Sequence, residues 1–183
     1  MINDLLTAVW FLLPAAASNA APIFAAKIPA LKKFDAPIDG GKQIGGQDIF
    51  GSHKTWRGFV AGIIVSTTIL FIQQLLMMQT EAFSFVEIDY AALPVLLLGP
   101  AFAIGALGGD LLESFLKRRI GIASGKSWLF FDQIDYVVGS VFVSLFFVIL
   151  PAAVYIWIFV FWFLMHLLIS YIGYRIGLKD EPI

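Results

Sequence analysis

The run VVGSVFVSLFFVILPAAVYIWIFVFWFLMHLLISYI, residues 137–172, contains no Asp, Glu, Lys or Arg. A helix that crosses a bilayer needs about 20 mostly apolar residues to span a hydrocarbon core about 30 Å thick. This run is too long for one crossing and matches two tight ones. Pro151 stands near its middle, where the missing N–H and the ring's clash with the preceding turn break a helix. Two spans are therefore expected, 137–150 and 152–172. A single long, tilted helix is the competing arrangement.

Three further apolar runs, 5–24, 59–78 and 91–112, each suit one crossing. The first follows Asp4 rather than a basic segment and is too long for the core of a cleaved signal peptide. The composition agrees with this reading: of 183 residues, 60% are hydrophobic and 14% charged, and the mean hydropathy is +0.87. Soluble domains lie nearer half apolar and a quarter charged, and a soluble globule this small has no room to hide the excess. Disorder, a secreted disulfide scaffold and an ordinary soluble enzyme are excluded. With no Cys, so are a thiolate nucleophile and a Cys-ligated metal. The fold expected is all-α: one polytopic integral membrane domain, 1–183, with five transmembrane helices.

The basic residues orient it. Lys27, Lys32, Lys33, Lys42, Lys54 and Arg57 lie between the first two runs. Lys117, Arg118, Arg119 and Lys126 follow the third, and Arg175 and Lys179 lie in the tail. The segment 79–90 has no basic residue but carries Glu81, Glu87 and Asp89. The positive-inside rule then puts the N-terminus and 79–90 outside, and the loops 25–57 and 113–136 and the C-terminus in the cytoplasm. Polar chemistry is expected at the cytoplasmic face of the cell membrane. In the third run Ala101, Gly105 and Gly109 recur every fourth residue, a spacing that lets helix backbones approach closely.

The loop 113–136 and its flanks alternate acids and bases. Asp110 lies at the cytoplasmic end of a membrane helix, where an ionisable residue is costly and marks function. Ser114, Lys117, Arg118, Arg119 and Lys126 follow, then Asp132 and Asp135, three apart and so on one face of a helix. The carboxylates of Asp110, Asp132 and Asp135 suit Mg²⁺, a hard cation that takes oxygen ligands and leaves positions for substrate phosphates. The cations suit a polyphosphate, whose transfer depends mainly on positioning and charge neutralisation. The plainer reading of Asp132 and Asp135 is complementation of a helix macrodipole.

The loop 25–57 is rich in glycine, which lets backbone N–H groups converge on phosphate oxygens. Lys54, Thr55 and Arg57 offer a point charge, a hydroxyl and a forked guanidinium suited to bidentate phosphate binding. Asp39 reads either as a metal or ribose contact or as a turn residue beside Pro37 and the glycines. Trp56 reads as an interfacial anchor. His53 sits within the basic motif as a candidate phosphate contact, and His166 in the last run reads either as a helix–helix hydrogen-bond partner or as a residue facing the polar cavity.

The block Gly109-Asp110 through Ser114, Lys117-Arg118 and Asp132-Gln133-Ile134-Asp135 resembles the signature of the CDP-diacylglycerol synthase superfamily. Gln133 stands where that signature has Arg, and the His-Gly-Gly stretch before the last acidic pair is missing. Both features resemble the CDP-archaeol synthase branch. So do Asn19 and Pro22, the stretch Pro37-Ile38-Asp39-Gly40-Gly41, the motif Gly51-Ser52-His53-Lys54-Thr55-Trp56-Arg57-Gly58 and the tail Gly177-Leu178-Lys179. Gly45-Gly46 and Ser170 depart from that branch, which has an acidic-Gly pair and an Asn there. The resemblance implies a membrane cytidylyltransferase of phospholipid biosynthesis that transfers CMP from CTP to a lipid phosphate with Mg²⁺ and releases pyrophosphate. It implies 2,3-di-O-geranylgeranylglyceryl phosphate as acceptor, with phosphatidic acid the competitor. Expected partners are thus CTP, the lipid phosphate and membrane lipids, with no nucleic acid. A CDP-alcohol phosphotransferase would need an Ala-Arg and a spaced acidic pair after Asp39-Gly40, which are missing. A small transporter or scaffold is the non-enzymatic alternative; a transporter should carry polar or broken helices at the bilayer midplane.

Overall fold

The computed structural model describes residues 1–86, 88–178 and 182. Glu87 of the acidic segment and Lys179 of the tail motif lie outside the described residues. Five α-helices form a bundle: α1 (Ile2–Ala26), α2 (Trp56–Gln79), α3 (Val95–Arg119), α4 (Phe131–Ser144) and α5 (Ala152–Arg175). Within the bilayer a helix satisfies its own backbone polar groups, which is why the apolar runs take this form. Four of the helices, all but α4, are long and apolar enough to cross a membrane. Ile64, Phe71, Leu97, Phe146 and Ile156 face outward, while Phe11, Leu12, Leu98, Phe102, Val137 and Ile158 fill the interior.

Successive helices run antiparallel. Gly58 of α2 lies under Pro22 of α1, and further along Gln73 Nε2 donates to the carbonyl of Trp10 at 2.7 Å. Gly62 of α2 meets Leu107 of α3, and Gly99 meets Thr67. Gly105 and Gly109 of α3 meet Gly139 and the Asp135 carbonyl of α4 with no room for a β-carbon on Gly105, Gly109 or Gly139. The small-residue stripe on α3 is thus a backbone-to-backbone seam. The Tyr136 hydroxyl of α4 donates to the Trp162 carbonyl of α5, and the Trp162 indole N–H donates to Ala8 of α1.

The helices outrun the apolar segments at the polar end. α3 continues to Arg119, so Glu113, Ser114, Lys117 and Arg118 stand on a helix rather than in the loop expected from 113 onward. α4 begins at Phe131, six residues before the expected 137, and ends at Ser144 rather than 150. Asp132 closes this N-terminus: its backbone N–H donates to the Trp128 carbonyl and its carboxylate accepts from the Trp128 N–H, each near 3 Å. At the other end Pro151 disfavours helical backbone at the preceding residue, and the chain turns over 145–151 into α5. The run 137–172 is therefore divided, as the proline requires.

The connection between α1 and α2 contains a structure beyond the all-α expectation. Gln43–Ile44 and Gln47–Asp48 pair as an antiparallel hairpin around Gly45-Gly46, both at positive φ, the pair of angles a tight two-residue turn requires. Its base is closed by a bridge between Pro37 and Thr55.

Candidate active site

A cavity of about 440 Å³ opens at the end of the bundle where α1, α3 and α5 finish and α2 and α4 begin. All five helices reach it, through Asn19, Gly58, Asp110, Asp132 and His166 among others. Both polar connections also reach it, through His53 and Lys54 on one side and Ser124 and Lys126 on the other. Gly51 marks their meeting: it has φ +104°, and a β-carbon there would stand 2.7 Å from the Ser124 hydroxyl. Only glycine fits both the angle and the approach.

Lys54 and Asp110, 56 positions apart in the chain, form the central ion pair. The ammonium lies 2.7 Å from both carboxylate oxygens. Burial works against the charge on Lys54, but Asp110 in contact and Asp135 and Glu113 nearby outweigh it, so its pKa stands above the ordinary lysine value. A second lysine repeats the arrangement. Lys117 reaches both oxygens of Asp132 at 3.0 Å and lies 3.2 Å from Glu113 Oε1, one helical turn back on α3. The seam at Gly109 brings these groups together, since it lets the backbone of Asp135 lie directly beside the residue before Asp110.

Arg118 is buried, lines the cavity, and has no carboxylate within ion-pair distance among the described residues; its Nε has no hydrogen-bond partner. Thr55 lines the cavity and caps α2 by accepting from the Gly58 N–H at 3.3 Å. Ser114, Lys126, His53 and His166 line it too, and His166 leans on the Tyr136 ring.

Three of the residues singled out in the sequence stand elsewhere. Arg57 pairs with Asp35 at 2.9 Å and does not line the cavity. Arg119 turns away to the hairpin, donating to the carbonyls of Ile44 and Asp48 at 3.1 and 2.6 Å, with its guanidinium over Phe115. Asp39 accepts from the backbone N–H groups of Gly41 and Phe50 and shapes the glycine-rich loop from below. Of its two readings, the turn residue describes its contacts. Burial opposes the charge of Asp39, but the N–H groups of Phe50, Gly41 and Gly51 hold its carboxyl below the usual range.

Glu113 is a functional candidate that the sequence motifs do not single out. It is buried and lines the cavity beside Asp110, Asp132 and Asp135. The Glu-to-Lys spacing of four on a helix is the signal that could have found it.

The cleft holds four basic side chains and four carboxyl groups. Lys54, Lys117, Arg118 and Lys126 face Asp110, Glu113, Asp132 and Asp135. A polyanion therefore gains little from the cleft unless a further cation takes up the carboxylates. Among the described residues no three His, Cys, Asp or Glu stand as a ready-made group that could hold a metal ion; lysine ammonium groups lie on Asp110, Glu113 and Asp132. The donors are all carboxylate oxygens, which fits a hard divalent cation.

Comparison with known proteins points the same way. The family model described as CarS-like, CDP-archaeol synthase, matches residues 1–183. A CDP-archaeol synthase of Methanosphaerula palustris is 41% identical over 154 residues, covering 80% of this chain and 89% of its own. Those of Halobacterium salinarum and Methanocaldococcus jannaschii are each 33% identical, covering 100% and 96% of this chain and 98% and 96% of their own. The solved structure of an intramembrane enzyme for archaeal membrane lipid biosynthesis matches with a TM-score of 0.73 at 27% identity, over 91% of this chain and 94% of that one.

Proposed function

The chain belongs to the CDP-archaeol synthase family, and from that membership we propose how its polar cleft works. It is a CTP-dependent transferase of the membrane, multi-pass, that carries out cytidylyl transfer to an archaeol phosphate in membrane lipid biosynthesis. The acceptor we propose is 2,3-di-O-geranylgeranylglyceryl phosphate. An oxygen of the lipid phosphate attacks the α-phosphorus of CTP, the bond from that phosphorus to the bridging oxygen breaks, and pyrophosphate leaves. The attacking phosphate is already an anion near neutral pH, so no base has to remove a proton from it.

The chain's part is to neutralise and to orient. Arg118, buried and without a counter-ion among the described residues, suits bidentate grip of a phosphate. Lys54, Lys117 and Lys126 supply further charge, and Thr55 and Ser114 supply hydroxyls. Asp110, Asp132 and Asp135 would hold Mg²⁺, which when bound neutralises phosphate charge and favours departure of the leaving group. Lys54 and Lys117, which lie on Asp110 and Asp132, would then be available to the triphosphate. Placement of the cleft at the cytoplasmic face rests on the basic residues of both polar connections, under the positive-inside rule.

The observation that carries this reading is the 2.7 Å contact of Lys54 with Asp110, which joins two sequence-distant motifs in one cavity. The test supplies purified protein with labelled CTP, Mg²⁺ and either the geranylgeranylated or the diacyl lipid phosphate. The expected result is a labelled CDP-lipid and pyrophosphate, with the geranylgeranylated acceptor preferred. Preference for phosphatidic acid overturns the acceptor assignment. Release of CMP overturns the reaction.

A further inference from the structure

Glu113 has no part in the scheme above, yet it is 6% exposed and lies at the polar end of a membrane helix, where an uncompensated carboxylate is costly. Its one ion-pair contact among the described residues is Lys117, at 3.2 Å from Oε1. Lys117 is at the same time 3.0 Å from each oxygen of Asp132. One ammonium thus lies between two carboxyl groups from two helices. Nothing in the packing of α3 requires this: a residue one turn from Lys117 could have been apolar, as its neighbours Leu111, Leu112 and Leu116 are.

We propose that Glu113 is a positioning residue, which retains Lys117 in the cleft when Asp132 is given over to a divalent cation. Asp132 and the ammonium are in direct competition: a cation on Asp132 removes the partner of Lys117 and repels it as well. With Glu113 in place, Lys117 keeps an anionic partner on its own helix and remains within reach of phosphate oxygens. Without it, Lys117 has Asp132 alone and contests that carboxylate with the cation. The effect therefore falls on cation and nucleotide binding rather than on the rate once both are bound. This rests on the reading of the cleft as an Mg²⁺–CTP site.

The test compares Glu113→Gln, Glu113→Asp and Asp132→Asn with the unaltered protein in detergent. Equilibrium CTP binding is titrated with Mg²⁺ in the absence of lipid acceptor, and KM and kcat are measured in its presence. Glu113→Gln keeps the size and removes the ionisable carboxyl. It is expected to raise the Mg²⁺ concentration for half-maximal CTP binding, and the KM for CTP, by about tenfold, the scale of coupling between charges in contact, with kcat changed far less. Glu113→Asp, which keeps the carboxyl, is expected to recover most of that shift. In the Asp132→Asn background, the Glu113→Gln change should add little, because the competition is gone. Unchanged Mg²⁺ dependence in Glu113→Gln, an equal shift in the Gln and Asp variants, or a fall in kcat alone would overturn the inference. Should Glu113→Gln fail to fold, the inference is overturned equally by Glu113→Asp with wild-type thermal stability and a Mg²⁺ requirement about tenfold higher. Retention of full Mg²⁺-dependent binding by Asp132→Asn sinks the underlying reading instead, so the two failures are separable.

Discussion

Adjacent residues in this cleft do different work, and substitution should separate them. Arg118 lies buried in the cavity, whereas Arg119 holds the hairpin carbonyls of Ile44 and Asp48. Arg118→Ala is expected to lower the turnover rate by about 10²–10³, the usual cost of removing one group that stabilises transition-state charge. Arg119→Ala is expected to lower thermal stability and leave turnover within a few-fold of wild type. Rates and melting curves on the two purified variants check the split, and equal losses of rate would contradict it. Asp39 belongs with Arg119. Its lowered pKa means that its contribution to stability is present above the ordinary carboxyl value of 3.8 and is lost as pH falls through the lower folded value. Asp39→Asn should therefore melt below wild type at neutral pH, with the difference closing under acid. Lys54 has the opposite sign. Raised above 10.5, it contributes fully below that pH and loses its effect only as pH climbs through the folded value. Its pair with Asp110 is thus intact across the physiological range, and Lys54→Met should lower activity across the whole neutral range without moving the profile, as a pH–rate series would show.

At the scale of helices, the site depends on how closely α3 and α4 approach. A β-carbon on Gly139 would collide with the Gly105 carbonyl, whereas Gly108 has open space around it. Gly139→Ala should cost about 1–3 kcal/mol as an overpacking change and reduce activity by shifting Asp135. Gly108→Ala should be tolerated in both respects. Denaturation in detergent and turnover together test this, and a tolerated Gly139→Ala would show that the seam does not set the site. The seam was legible in the sequence because small residues recur every fourth position. So was the division of 137–172, because proline acts locally. The helix ends were not: hydropathy marks where lipid stops, and α3 continues for seven residues beyond its apolar run to carry Ser114, Lys117 and Arg118. The motifs named the right neighbourhood but not the direction of each side chain. Lys54 and Arg57 are three apart with the start of α2 between them, and one enters the cavity while the other turns to Asp35. Glu113 was hidden for the same reason, since which face of α3 meets the cavity depends on α4.

For the whole molecule the remaining quantity is sidedness, and here α4 matters most. At fourteen residues it is about 21 Å long, shorter than a hydrocarbon core of about 30 Å, and the segment 145–151 must make up the difference. Its antiparallel packing against both α3 and α5 nevertheless carries the chain from the polar end of the bundle to the other end and back. The polar end carries Lys27, Lys32, Lys33, Lys42, Lys54 and Arg57 in the α1–α2 connection and the first turn of α2, and Lys117, Arg118, Arg119 and Lys126 in the last turn of α3 and the loop after it, and under the positive-inside rule the proposed orientation puts this end in the cytoplasm. The absence of Cys from the chain makes this directly measurable, because a single introduced thiol has no background. Lys42→Cys in the hairpin connection and Ser124→Cys in the α3–α4 connection report the polar end. Glu81→Cys after α2 and Ile149→Cys before α5 report the other, and Ile149 is 81% exposed. In sealed right-side-out vesicles, a membrane-impermeant maleimide is expected to label positions 81 and 149 at once and positions 42 and 124 only after permeabilisation. Labelling of position 149 together with 42 and 124 would mean that α4 turns back within the membrane and that the bundle crosses only with its four long helices. Labelling of all four in the reverse order would place the cleft outside, away from cytoplasmic CTP, and the proposed orientation would fall with it.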